Sequence, residues 1–210
     1  MFIFSRATAL DRHNQMSAVG AAVEAADMVT KITGLPISVY MSSYGEPTNT
    51  VRWSTRIETQ AELQAATEKL AADSGYVQWA EKNSHLFEIA PSDALGRVVS
   101  ASGMEAGPAR FVNIITAVAA NGRMADAVAF GVRAQQFVAG ATKKMSTAFL
   151  TGVYGPFGTV TWITGANSMA DMDALQEMQA TNVGYHELVK DAGDLFVTGS
   201  GMTGLMEKIN

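Results

Sequence analysis

The stretch Thr50-Val51-Arg52-Trp53-Ser54-Thr55-Arg56-Ile57 holds the side chains best suited to chemistry. Successive residues of an extended strand leave opposite faces, so Arg52, Ser54 and Arg56 point one way and Val51, Trp53 and Thr55 the other. The preceding stretch sorts in the same manner, with Ser38, Tyr40, Ser42 and Tyr44 opposed to Ile37, Val39 and Met41. A hairpin that set Tyr40 and Tyr44 beside Arg52 and Arg56 would offer two guanidinium groups and two phenols to one ligand. Such donors, aimed at an oxygen, stabilise the negative charge of a carboxylate or a developing enolate. A register slip of one residue would send the tyrosines to the other face. Arginines buried without acidic partners are costly, and Glu58 is the nearest carboxylate on these strands. The two arginines therefore either reach solvent at a rim or await an anionic group on a ligand or partner.

Other chemistry is thin. His85 lies just before a short apolar run and joins Arg52 as a candidate catalytic group; His13 precedes the first helix; His186 follows Tyr185 late in a helix. No His-x-x-x-His pair or carboxylate cluster suggests a metal site. The absence of cysteine excludes disulfides, thiol catalysis and thiolate ligation. Gly152, Gly155 and Gly158 lie between two strands, where glycines punctuate a hairpin and do not cradle phosphate.

The elements that position these groups occur twice. Trp53, Gly75-Tyr76 and Leu86-Phe87 recur as Trp162, Gly184-Tyr185 and Leu195-Phe196, each pair 109 positions apart. Such an offset marks an internal duplication. Tyr44-Gly45 meets Tyr154-Gly155 only at an offset of 110, so the second copy carries one extra residue near its hairpin. Residues 1–105 and 106–210 read as the two halves. In the first, Phe2 to Ala9 is a strand, and Asp11 or Asn14 caps a helix that Gly34-Leu35-Pro36 ends. Ile37 to Tyr44 and Thr50 to Glu58 form a hairpin around Gly45-Glu46-Pro47, and Thr59 with Glu62 opens a helix as a capping box. Asp73-Ser74-Gly75 breaks that helix, and Leu86 to Ala90 is the closing strand, followed by strand character at Arg97-Val98-Val99. The second half repeats the order, with Leu195 to Val197 as its last strand and Gly204 to Ile209 as a tail. Its hairpin face equivalent to the arginine face is expected to carry Thr147, Phe149, Thr151, Thr161 and Ile163, without either arginine. Each half is β-α-β-β-α-β, an α+β ferredoxin-like unit.

The chain has 210 residues, 48% hydrophobic and 17% charged, with a formal net charge of −5. It is long enough to bury a core, and without a basic run it lacks the electrostatic footprint of a nucleic-acid binder. No apolar stretch approaches the roughly 20 residues that span a bilayer. Lack of a leader-like N-terminus and of cysteine leads to an expected cytoplasmic location.

Two tandem halves with Trp on the third strand, a helix reaching Gly-Tyr, then Leu-Phe, resemble the dimeric α/β-barrel superfamily. Its NIPSNAP and antibiotic-monooxygenase branches look most alike. The resemblance implies a fused barrel in which two such sheets pack face to face. Members include cofactor-independent monooxygenases, cyclases, isomerases and haem-handling enzymes, so the fold leaves the activity open. Two roles follow from the resemblance alone. Some cofactor-independent oxygenases use an Asn on this strand with a Trp, which marks Asn113 with Trp162; the competing reading is a polar strand residue beside a core Trp. Haem-handling relatives place an iron ligand late in this helix, which marks His186 against a plain exposed helix residue. The expectation is a protein binding a small hydrophobic or anionic ligand, without a cofactor, and acting as an oxygenase, cyclase or isomerase. The alternative is a non-catalytic assembly or accessory subunit. Either is expected as a homo-oligomer or with a protein partner.

Overall fold

Strands and helices follow the same order in both halves of the chain. The computed structural model describes residues Met1–Asn210. The first half supplies β1 (Phe2–Ala9), α1 (Gln15–Thr33), β2 (Ser38–Tyr44), β3 (Thr50–Ile57), α2 (Gln60–Ala72), α3 (Ser74–Asn83) and β4 (Ser92–Ser102). The second supplies β5 (Phe111–Val118), α4 (Met124–Ala141), β6 (Ser146–Tyr154), β7 (Thr159–Ala166), α5 (Met169–Thr181), α6 (Val183–Lys190) and β8 (Met202–Lys208). Two compact units result: Met1–Leu95 with Lys208–Asn210, and Gly96–Glu207.

In the first unit β3 runs antiparallel between β1 and β2, with Arg52 opposite Ala7 on one side and Tyr40 on the other. Val39, Val51, Met41 and Trp53 leave the face that meets α1, whose Ala18, Ala21, Ala22 and Ala26 let helix and sheet approach closely. Leu10, Leu86, Phe87 and Trp79 complete that core. In the second unit β5 pairs with β7 and β8, and β7 with β6, all antiparallel.

The duplication reaches individual hydrogen bonds. Trp53 Nε1 donates to the Ala22 carbonyl at 2.8 Å, and Trp162 Nε1 to the Gly131 carbonyl at 3.0 Å. Thr59 Oγ1 accepts from the Glu62 amide and Ser168 Oγ from the Asp171 amide. The expected break at 73–75 is present: Asp73 ends α2 and opens α3, its Oδ1 accepting from the Tyr76 amide, and Asn182 repeats this with Tyr185 between α5 and α6. Such side chains satisfy amides that the first helical turn leaves unpaired. At the start of α1, Asn14 holds the cap position without a side-chain cap bond, while Asp11 accepts from the His13 amide and from Asn14 Nδ2.

Three expectations need correction. The segments Leu86–Ala90 and Leu195–Val197 are not strands; each makes one isolated bridge, Leu10 with Phe87 and Ala119 with Phe196. Leu86 and Leu195 are buried, and the Phe87 and Phe196 rings lie against Trp53 and Trp162, so these residues close the cores. The fourth strands come later, at Ser92–Ser102 and at Met202–Lys208, the second of which was expected as a tail. The third correction concerns the second hairpin. Phe149 pairs with Trp162 and Thr147 with Thr164, on the helix-facing side, where Gln135 of α4 donates to Thr147 Oγ1. The opposite face carries Ala148, Leu150, Thr161 and Ile163. The extra residue of the second copy shifts β6 by one position, and in a strand one position exchanges the faces.

The two helix–sheet interfaces fill the same space differently. Val39 opposes Trp53 where Phe149 opposes Trp162, and Ala22 occupies the helix position of Gly131. A Cβ on Gly131 would lie 2.1 Å from Phe149 Cζ. The glycine is thus the complement of the larger ring. Phe130, Phe149, Trp162 and Phe196 form an aromatic cluster in the second unit, with centroid distances of 5.2 to 6.2 Å.

Candidate functional site

The polar side chains of the first sheet gather where the alternation places them. Arg52, Ser54 and Arg56 leave β3 on the face away from α1, and the register puts Tyr40 beside Arg52, Ser38 beside Ser54, and Ser5 of β1 beside Ser54. This face is partly shielded from solvent. Tyr40, Ser42 and Ala7 are each under a tenth exposed, and Arg52 and Arg56 are half-buried.

The hairpin turn completes the site. Gly45 has φ of +87°, a left-handed conformation that glycine adopts without strain, and the chain reverses there. The Glu46 carbonyl accepts from Ser42 Oγ, and the Thr50 amide donates to the Pro47 carbonyl. The Glu46 carboxylate is then carried back over the sheet, where its Oε1 accepts from Arg52 Nη2 at 2.9 Å. Arg52 Nη1 donates to Ser5 Oγ at 3.4 Å. Arg52 Nε and Glu46 Oε2 are both buried and have no hydrogen-bond partner. Burial holds the Tyr40 hydroxyl above the ordinary tyrosine pKa, against the opposing pull of its bond with Ser38 and of the nearby Arg56 charge, so it is kept as a neutral phenol.

The structure therefore brings Tyr40, Arg52 and Arg56 onto one face and adds Ser5 and Glu46 to them. The carboxylate nearest the arginines by sequence on the strands, Glu58, is not the partner of Arg52; the turn residue Glu46 is. A cross-hairpin separation of six residues is the signal that points to Glu46, once the register is known. Tyr44 ends β2 and is 69% exposed, away from the buried part of the face. His85 is exposed in the turn after α3, with Nδ1 at 3.0 Å from the Lys82 carbonyl. Asn113 is buried on the helix-facing side of β5, opposite Thr164, with Trp162 on the same side. His186 is exposed on α6, with Nε2 at 3.0 Å from the Gln179 carbonyl. No three His, Asp or Glu side chains gather as metal ligands.

No family model matches the chain, and no curated protein sequence matches it. Solved structures do. A protein of Fusobacterium nucleatum provisionally called a monooxygenase superposes with a TM-score of 0.73 at 6% identity, over 100% of this chain and 92% of that one. An anthrone oxidase-like protein superposes at 0.66 and 11% identity, over 100% and 91%. A provisionally named monooxygenase of Lactobacillus acidophilus gives 0.64 at 12%, over 99% and 93%. Likeness at these identities is likeness of fold, and it extends over both halves at once. The chain has the dimeric α/β-barrel fold, ferredoxin-like in each half and fused in one polypeptide.

Proposed function

We propose that the polar sheet face of the first unit binds a small, largely apolar molecule by a polar head, and that the protein turns that molecule over without a cofactor. The reaction class is oxidation, cyclisation or isomerisation at a carbon next to a carbonyl or phenol, with dioxygen as oxidant in the oxidative case. The observation that carries this reading is Arg52, a half-buried guanidinium held by Glu46 and Ser5 with its Nε–H left for a ligand. Fixed donors of this kind stabilise charge that develops on an oxygen. Tyr40, a neutral buried phenol beside Arg52, supplies a second polar group. The oxidative branch is favoured by the names of the similar structures, two provisionally called monooxygenases and one anthrone oxidase-like.

The test is a ligand-observed NMR screen of aromatic fragments against the wild type and Arg52→Met. Fragments that bind the wild type should weaken by about tenfold or more in the variant, the worth of a hydrogen bond to a charged group. Equal binding to both proteins would count against the site.

A second reading, a non-catalytic assembly subunit, is favoured by exposed aromatics at both hairpin turns: Tyr44 in the first unit, Tyr154 and Phe157 in the second. Under that reading no fragment binds the Arg52 face.

A further inference from the structure

Glu46 alters what Arg52 can receive. A lone guanidinium selects an anion, but this one is already neutralised at 2.9 Å by a carboxylate that is itself largely buried. A second carboxylate brought to the same place would meet the Glu46 charge in a weakly screened setting, where like charges repel strongly. The pair also leaves a donor and an acceptor unanswered, Arg52 Nε–H and Glu46 Oε2, both buried. Buried polar groups left without partners are costly, and a ligand that satisfies both recovers that cost.

We infer that the Arg52–Glu46 pair is a receptor for a neutral hydroxyl group: the hydroxyl oxygen accepts from Arg52 Nε–H and its proton is donated to Glu46 Oε2. The inference rests on the ligand-binding reading of this face and sharpens it, from a ligand with a polar head to one bearing an un-ionised O–H. A hydroxyl supplies both the acceptor and the donor that the two groups lack. A carboxylate offers only acceptors, meets Nε alone and opposes Glu46. Apolar surface without a hydroxyl leaves both groups unanswered.

The test uses three probes of one shape, naphthalene, 1-naphthol and 1-naphthoate, titrated calorimetrically into the full-length protein near neutral pH. The wild type should bind 1-naphthol about tenfold or more tighter than either of the others, as expected for hydrogen bonds to charged groups. In Glu46→Gln the amide oxygen retains the Arg52 bond and the amide nitrogen replaces Oε2, so an acceptor becomes a donor. The preference should then invert toward 1-naphthoate. Circular dichroism establishes that the variant is folded; should it not be, Arg52→Met, which removes every donor of the guanidinium, should weaken 1-naphthol by a similar factor and leave naphthalene unchanged. Wild-type protein that binds 1-naphthoate as tightly as 1-naphthol, or a Glu46→Gln variant with an unchanged preference, overturns the hydroxyl assignment while leaving the binding site standing. Failure of all three probes to bind overturns both.

Discussion

Three tryptophans occupy comparable cores and treat their indole N–H groups differently. Trp53 and Trp162 each donate to a helix carbonyl across the sheet–helix interface, whereas Trp79, packed in the first core, has a buried Nε1 with no acceptor. Truncation of Trp53 or Trp162 to Ala should cost about 3–5 kcal/mol in urea unfolding. Replacement of either by Phe should cost about 1 kcal/mol for the lost bond. Trp79→Phe removes an orphaned donor and should be close to neutral; a loss comparable to that of Trp53→Phe would mean that the Trp79 N–H is paired. At this scale the sequence was partly legible. Strand alternation separated Arg52, Arg56 and Tyr40 from Trp53, and the repeat of Trp53 and Trp162 marked them as core. Glu46 was not legible, because its partner depends on how far a turn folds back over the sheet. Tyr44 shares the parity of Tyr40, yet it lies at the strand end and is exposed, a difference that parity does not carry.

At the scale of elements, the duplicated units are held by exchanged volumes. Ala22 with Val39 in one becomes Gly131 with Phe149 in the other, and Phe149 is fully buried. Gly131→Ala forces its methyl into that ring and should cost about 1–3 kcal/mol or more, as overpacking does. In a Phe149→Val background the same substitution recreates the first unit's pair and should cost far less. Thermal unfolding of the four proteins of this cycle measures the coupling, and independent effects would contradict the account. Element order, the hairpins and the helix breaks at Asp73 and Asn182 were legible from period, turn residues and the repeat itself. The fourth strands were legible only in part: strand character at Arg97-Val98-Val99 falls within Ser92–Ser102, but Leu86-Phe87 and Leu195-Phe196 are apolar enough to read as the closing strands, whereas their side chains close the cores and the ladders begin later. The face assignment of β6 failed for a related reason, since one extra residue in a hairpin is invisible to composition and decisive for pleat.

For the molecule as a whole, duplication supplied two copies of a scaffold and only one kept a polar sheet face. In the first unit that face carries Ser5, Tyr40, Arg52 and Arg56 with Glu46 from the turn; in the second the positions equivalent to those four are Ile114, Leu150, Thr161 and Gly165. Fold likeness covers both halves and does not distinguish them. The central claim is that ligand recognition resides at the Arg52–Glu46 pair. It is tested most directly by following the side-chain Nε–H resonance of Arg52, with the backbone amides, as 1-naphthol is added to the isotopically labelled protein. The account predicts that the Arg52 Nε–H signal moves saturably, and that Ser5, Tyr40 and Glu46 show the largest amide changes. Saturable binding that leaves the Arg52 Nε–H signal in place, with the largest changes elsewhere, would contradict it.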